Sequence, residues 1–244
     1  MTTARSGERI AKVIARAGLC SRRQAERLIA ERRVRLDGVL LESPAVTVGR
    51  GVAITVDGRP LPAREPMRLW RYHKPKGLIT TARDPQGRPT VFDRLPPAMP
   101  RISAVGRLDI NSEGLLLLTN DGALKRRLEL PTTGWTRRYR VRVHGRVDPA
   151  GLAALARGIT VAGVRYGPIQ AVLERQTAAN AWLSVALKEG KNREVRRVLE
   201  HLGLTANRLI RVAYGPFQLG RLAPGGLAEV PAKVLREQLG EGAK

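Results

Sequence analysis

Between two apolar runs, Ile102 to Val105 and Leu115 to Leu118, the chain sets Gly106-Arg107-Leu108-Asp109-Ile110-Asn111-Ser112-Glu113-Gly114. A loop held at both ends by core strands keeps its side chains in place. Asp109 is therefore a candidate for a fixed carboxylate, the kind of group that acid–base and nucleophilic steps use. Asp is also a turn former, and spacing alone leaves that reading open. A second pattern, Arg138 to Val143, alternates Arg-Tyr-Arg-Val-Arg-Val. On a strand it puts Tyr139, Val141 and Val143 on one face and Arg138, Arg140 and Arg142 on the other. A third runs from Asn192 to Leu202, where Val195, Val198, Leu199 and Leu202 recur at i, i+3, i+4, i+7. This spacing predicts an amphipathic helix closed by Gly203, with Arg193, Arg196 and Arg197 as its charges.

Other chemistries lack their signatures. Neither GxxxxGK[ST] nor GxGxxG occurs, so ATP and dinucleotide chemistry are not expected. His73, His144 and His201 lack metal-ligand spacing, and Cys20 is the single cysteine. No metal centre, no cofactor and no intrachain disulfide are expected, and Cys20 reads as a small, half-buried residue at a helix entry. Lys and Arg number 44 against 21 Asp and Glu, a net charge of +23. A polyanion is the natural partner. Residues 1–66 carry +6 and residues 67–244 carry +17, so the charge is not a tail. The longest apolar run falls far short of the roughly 20 residues of a membrane helix, and no charged-then-apolar leader opens the chain. The expectation is a soluble, cytoplasmic protein without membrane contact.

The elements that must position these residues divide in two. Ile10, Val13, Ile14 and Ala17 recur at helical spacing up to Gly18, and Ser21 with Gln24 forms a capping box for a second helix. That helix carries Ala25, Leu28 and Ile29 inward and Arg22, Arg23 and Arg27 on or near its outer side. Val34 to Val39 and Val52 to Val56 read as strands with Asp-Gly turns, and Pro60, Pro62 and Pro66 mark a linker. The expected division is 1–62, a linker 63–66, and a second domain 67–244. In the latter, strands are expected at Met67 to Tyr72, Glu113 to Thr119, Ile169 to Leu173 and Trp182 to Leu187. A helix from Ala123 ends at Pro131, one opened by Asp148-Pro149 ends at Gly158, and a short one spans Pro231 to Leu239. Strands outnumber helices and alternate with them irregularly. The expected fold is α+β, with a largely antiparallel mixed sheet flanked by helices.

Over residues 7 to 62, ERIAKVIARAGLCSRRQAERLIAERRVRLDG resembles the S4 RNA-binding domain. Further on, GRLDINSEGLLLLTNDG is similar to the signature of pseudouridine synthases of the RsuA and RluB group. YHKPKGL before it, and RRYRVRVHG and EGKNREVRRVLEHLG after it, fall in that group's order. DPQGRPTVFDRLP and RLIRVAYGPFQLGRLAPGGLAEV most resemble the B-type enzymes that act on 23S rRNA. Relatives of that type can carry a long basic extension, whereas this chain ends soon after its last helix.

The resemblance implies a pseudouridine synthase fold and a cofactor-free, monomeric isomerase that flips a uridine out of structured rRNA. Its partner would be a 23S rRNA stem-loop or a ribosomal precursor particle. Asp109 then matches the catalytic carboxylate, as nucleophile or base. Tyr139 matches a tyrosine that stacks on the base, and Arg196 the arginine that pairs with the Asp. Arg107 is expected to fill the gap left in the RNA stack or to contact phosphate. Lys74, Lys76 and Lys191 are expected as phosphate anchors, and Arg193 and Arg197 as solvated helix charges. Arg22, Arg23 and Arg27 would meet RNA on the S4-like module. Two rival readings are the same reaction on 16S rRNA and a non-catalytic rRNA-binding assembly factor.

Overall fold

The structure is a computed structural model that describes residues 7–49 and 51–240. The chain folds as two units. One comprises the described residues up to Met67 with Ala98–Ile102 and Asn120–Gly122; the other holds Arg68–Pro97, Ser103–Thr119 and the described residues from Ala123 onward.

In the first unit, helices α1 (Ile10–Arg16) and α2 (Arg22–Ala30) pack through Ile10, Ile14, Ala25 and Ile29, all fully buried. The capping box is present: the Gln24 amide donates to Ser21 Oγ at 3.1 Å and the Ser21 amide to Gln24 Oε1 at 2.9 Å. A four-stranded antiparallel sheet joins Val39–Leu40, Val34–Leu36, Ile54–Val56 and Arg59–Pro60 in that order. Both of its Asp-Gly turns use positive φ, 47° and 82° at Asp37-Gly38 and 52° and 74° at Asp57-Gly58. Two-residue hairpins of this hand need that conformation. Arg22, Arg23 and Arg27 are exposed. The proline-marked stretch 63–66 is not a free tether, because Arg64 donates to Asp121 at 3.0 Å and Asn120 to the Pro66 carbonyl at 2.9 Å.

The second unit is built on a nine-stranded sheet. Its strands are β1 (Leu69–Lys74), β2 (Ser103–Val105), β3 (Glu113–Thr119), β4 (Arg137–His144), β5 (Ile169–Thr177), β6 (Asn180–Leu187), β7 (Thr205–Tyr214), β8 (Phe217–Gln218) and β9 (Leu227–Glu229). The order is β5-β6-β4-β7-β3-β1-β9, with β8 beside β7 and β2 beside β3. Every strand pair is antiparallel except β3 with β7, where Glu113 faces Ile210 and Gly114 faces Arg211. Helices α3 (Gly122–Glu129), α4 (Pro149–Ala154), α5 (Glu194–His201) and α6 (Ala232–Leu239) complete the fold. Asp148 caps α4 with bonds from the amides of Ala150 and Gly151, both at 3.0 Å, as Asp-Pro implies.

Strand β3 is buried along its whole length, and Leu115 to Leu118 are fully buried. A continuous apolar run is what a central strand covered on both faces requires. Strand β4 alternates, with Tyr139, Val141 and Val143 buried and Arg138, Arg140 and Arg142 exposed. Several predicted boundaries shift: β1 starts at Leu69 and runs on through Lys74, β5 runs on to Thr177, β6 starts at Asn180, α4 ends at Ala154 with a 3-10 turn before Gly158, and α5 is Glu194–His201. Strand β7 and the hairpin Ile159–Val161 with Val164–Tyr166 carried no strand expectation. In β7, charges stand at Arg208 and Arg211, and Arg211 is buried. A cation on the core side of a strand breaks the alternation by which strands are read. Among the described residues, no helix is long and apolar enough to cross a membrane.

Candidate active site

The loop between β2 and β3 hangs on its own carbonyl groups. Thr80 Oγ1 donates to the Leu108 carbonyl at 2.9 Å and accepts from the Leu108 amide at 3.3 Å. The Asp109 carbonyl receives the Ser112 amide at 3.0 Å, and that of Ile110 receives the Gly77 amide at 2.9 Å. Arg196 Nη2 reaches the Asn111 carbonyl at 2.9 Å, and Lys74 Nζ the Ser112 carbonyl at 2.8 Å. Five consecutive carbonyls, 108 to 112, thus each have a donor, and in a half-buried loop each would cost energy without one. At the start of the loop the Gly106 amide donates to Glu129 at 2.7 Å. The Asp109 side chain is carried on a backbone with little freedom to move.

Two of those donors correct the sequence reading. Lys74, expected as a phosphate anchor, is fully buried at the end of β1, where its ammonium serves the carbonyls of Pro75 and Ser112. Burial pulls its pKa from 10.5 down to about 8, while the charges of Asp109 and Glu113 oppose the drop. Both faces of β1 are covered at this end, with Tyr72, His73 and Lys74 all buried, so the Lys74 ammonium does not meet solvent phosphate. Arg196, expected to pair with the carboxylate, bridges the carbonyls of Asn111 and Ala206. Burial lowers its pKa, as does the charge of Arg193, and the charge of Asp109 offsets part of this.

The direct partner of Asp109 is Arg193, at 3.8 Å. Arg193 was expected to be a solvated helix charge. It stands just before α5 with φ 51° and ψ 29°, the left-handed region. That turn is tied by Glu194, whose carboxylate accepts from the Lys191 amide at 2.8 Å. Glu194 is buried, and burial pushes its pKa up.

Asp109, Tyr139 and Arg193 line one cleft of about 750 Å³. Eight Lys or Arg side chains line it against four acidic ones, and the acids are engaged, so the cleft presents positive charge. Asp84 is held by Arg88 at 2.9 Å, which lowers its pKa to about 2, and Glu129 pairs with Lys125 at 3.1 Å. Arg107 and Lys191 line the same cleft and are exposed; Lys191 Nζ also bonds Glu189 and the Arg165 carbonyl, both at 2.7 Å. Lys76 is half-exposed and lies 3.6 Å from Glu113, which Arg208 holds by two bonds at 3.0 Å. Such a surface suits an anionic ligand whose reacting part must reach a fixed carboxylate beside an aromatic ring.

Residues 68–201 match the RNA pseudouridylate synthase family, and residues 8–60 match the S4 domain. The chain belongs to the RNA pseudouridylate synthases. It is 46% identical to an uncharacterized RNA pseudouridine synthase of Rickettsia felis, over 94% of this chain and all of that one. It is 43% identical to ribosomal large subunit pseudouridine synthase B of Pasteurella multocida, over 96% of this chain and 71% of that one. The same enzyme of Escherichia coli O157:H7 is 44% identical, over 90% and 78%. A crystal structure of a pseudouridylate synthase superposes with a TM-score of 0.67 at 26% identity, covering 95% of this chain and 99% of that one.

The synthase is therefore an isomerase with an S4 domain before its catalytic fold. Its cleft also contains residues that the sequence reading passed over. Arg211 and Tyr214 of β7 line it, as does Arg137 at the start of β4. The guanidinium groups of Arg137 and Arg211 lie 4.8 Å and 5.2 Å from the centre of the Tyr214 ring, whose hydroxyl donates to the Leu128 carbonyl at 2.8 Å. One signal was available in the sequence: Arg211 follows Leu209 by two, on what becomes the core side of a strand. Among the described residues, no group of three or more His, Cys, Asp or Glu is placed to hold a metal ion.

Proposed function

We propose that the protein isomerises a specific uridine of large-subunit rRNA to pseudouridine, with Asp109 as the reacting carboxylate. The observation that carries this reading is Asp109 itself, fixed on a loop whose carbonyls 108 to 112 are each tied and set in a cleft of positive charge. A binding surface for RNA has no need of a carboxylate rigidly presented to a polyanion. The relatives named large-subunit enzymes, 43–44% identical to this chain, support 23S rather than 16S rRNA.

The chemistry breaks the bond from N1 of the base to C1′ of the sugar, turns the base and rejoins it through C5. A uridine in a stem or stacked loop must first be flipped out, at about a few kcal/mol. Tyr139, 9% exposed and lining the cleft, is the ring on which the base stacks, and stacking offsets ~1–3 kcal/mol of that cost. Arg107 at the rim takes the place of the departed base or meets its phosphate. Lys76, Lys191 and, on the S4 domain, the exposed Arg22, Arg23 and Arg27 contact phosphates and set register. Arg196 acts through the loop it ties rather than as the near partner of the carboxylate.

Mapping pseudouridine across the rRNA of cells with and without this protein tests the reading. A single large-subunit uridine should lose its modification in the deletion and regain it with the wild-type gene but not with Asp109→Ala. Loss of a small-subunit site instead would move the target, and restoration by Asp109→Ala would remove the carboxylate from the mechanism. No change at any site would leave RNA binding without catalysis.

A further inference from the structure

Arg211 is 2% exposed and yet lines the cleft, which puts it at the floor rather than the rim. Its strand neighbours are the two parts of the site already described. On one side it faces Tyr139 across the β4–β7 ladder, and on the other Gly114, which ends the Asp109 loop. Its guanidinium is held from two directions. Nε donates to the Leu115 carbonyl at 2.7 Å, and the plane lies over the Tyr214 ring at 5.2 Å. Nη2 is buried and has no hydrogen-bond partner among the described residues.

A buried guanidinium stays protonated, and an unused N–H of a charged group is costly unless something comes to accept it. The rim of the cleft already supplies exposed cations for phosphate. What reaches the floor beside Tyr139, on the reading that the flipped uridine enters here, is the base. Uracil carries two carbonyl oxygens and no charge in its ground state. When the N1–C1′ bond breaks with its electron pair left on the base, the negative charge spreads to O2 and O4. When C5 then bonds C1′, the C5 proton leaves and N1 takes up a proton, so the base is neutral again. The charge is thus transient, and a fixed donor aimed at it stabilises the passage more than either end.

We propose that Arg211 is a catalytic residue that donates from Nη2 to a uracil carbonyl oxygen and holds the negative charge the base acquires during isomerisation. The site takes a pyrimidine with a carbonyl at that position. Cytosine, which presents an amino group instead of O4, would set donor against donor if O4 is the oxygen reached.

The test uses the full-length protein and a synthetic stem-loop centred on the uridine found by the mapping above, made with uracil, 2-thiouracil or 4-thiouracil at that position. Arg211→Met should fold and bind the uracil stem-loop within about threefold of wild type with an unchanged salt slope. Its single-turnover rate at saturating RNA should fall by about 100- to 1,000-fold, the size of removing one charge-stabilising donor. Sulfur accepts hydrogen bonds poorly, so the oxygen-to-sulfur rate ratio at one of the two positions should differ at least severalfold between wild type and variant. Should Met disturb β7, Arg211→Lys keeps a cation at the Leu115 carbonyl but lacks the second nitrogen, and enters the same comparison. Equal oxygen-to-sulfur ratios in wild type and variant at both positions, or a wild-type saturating rate, would overturn the proposal. So would weakened binding and a flatter salt slope with the rate intact, which marks a phosphate contact. Asp109→Ala runs alongside: if it still turns over, the reading of the cleft has failed, whereas a dead Asp109→Ala with a fully active Arg211→Met condemns this proposal alone.

Discussion

Lys74 is a fully buried ammonium with a measurable pH signature. Its folded-state pKa of about 8 lies below the 10.5 of the unfolded chain. Between those values the unfolded protein holds a proton that the folded one has lost, so the folded state gains stability as pH rises through that window. Below pH 8 the cost of burying the charge is present in full. The gain amounts to about 3 kcal/mol if the whole interval is realised. Denaturant titrations at pH 7, 8 and 9.5 should show it in the wild type and not in Lys74→Met, and parallel curves would mean that Lys74 is not buried as an ammonium. Tyr139 separates ring from hydroxyl. Tyr139→Phe keeps the stacking face and Tyr139→Leu removes it, so the affinity for an RNA with an unstacked uridine should survive Phe and fall by about 1–3 kcal/mol in Leu. Equal losses would take stacking away from this residue.

At the scale of elements, the parallel β3–β7 pair joins the Asp109 loop to Arg211, and one glycine permits it. Gly114 has φ 103°, and a Cβ there would lie 2.3 Å from the Arg211 carbonyl oxygen. The strain and the clash act together, so Gly114→Ala should destabilise the fold by about 3 kcal/mol or more, read from the midpoint of chemical unfolding. A loss under about 1 kcal/mol would show that β7 can move aside. Much of this framework was legible. The Ser21–Gln24 box, the Asp-Gly hairpins, the Asp148-Pro149 cap and the leucine run of β3 each announce themselves by local chemistry, and local chemistry is what a sequence exposes. The Asp109 loop was legible for the same reason. Strand β7 was not, because its alternation is interrupted by Arg211, whose place is decided by partners 72 and 97 residues away, Tyr139 and Gly114. Nor could the exchange between Arg193 and Arg196 be read. Helical spacing places both on one segment, and it does not show that Arg193 sits before the helix in the left-handed region and reaches Asp109 while Arg196 is taken up by the carbonyls of Asn111 and Ala206.

For the whole molecule, charge is divided as +6 in residues 1–66 and +17 beyond, and each share can be removed separately. The bonds from Arg64 to Asp121 and from Asn120 to Pro66 set where to cut, and a protein beginning at Arg64 keeps both. At saturating RNA it should retain turnover. It should bind rRNA fragments more weakly, with the slope of log affinity against log salt flattened by about 0.7–0.9 for each phosphate no longer bound. Filter binding across a salt series reads this directly, and unchanged affinity and slope in a well-folded truncation would remove the S4 domain from substrate recruitment.

Arg193 occupies backbone that suits another residue. A side chain in the left-handed region costs about 1 kcal/mol that glycine does not, and asparagine is more at ease there than arginine. Selection for heat resistance and selection for catalysis would therefore pull this codon in opposite directions. Arg193→Gly should raise the unfolding midpoint slightly while slowing isomerisation, and a library of this gene screened only for thermostability would drift toward well-folded, poorly active proteins at this one position.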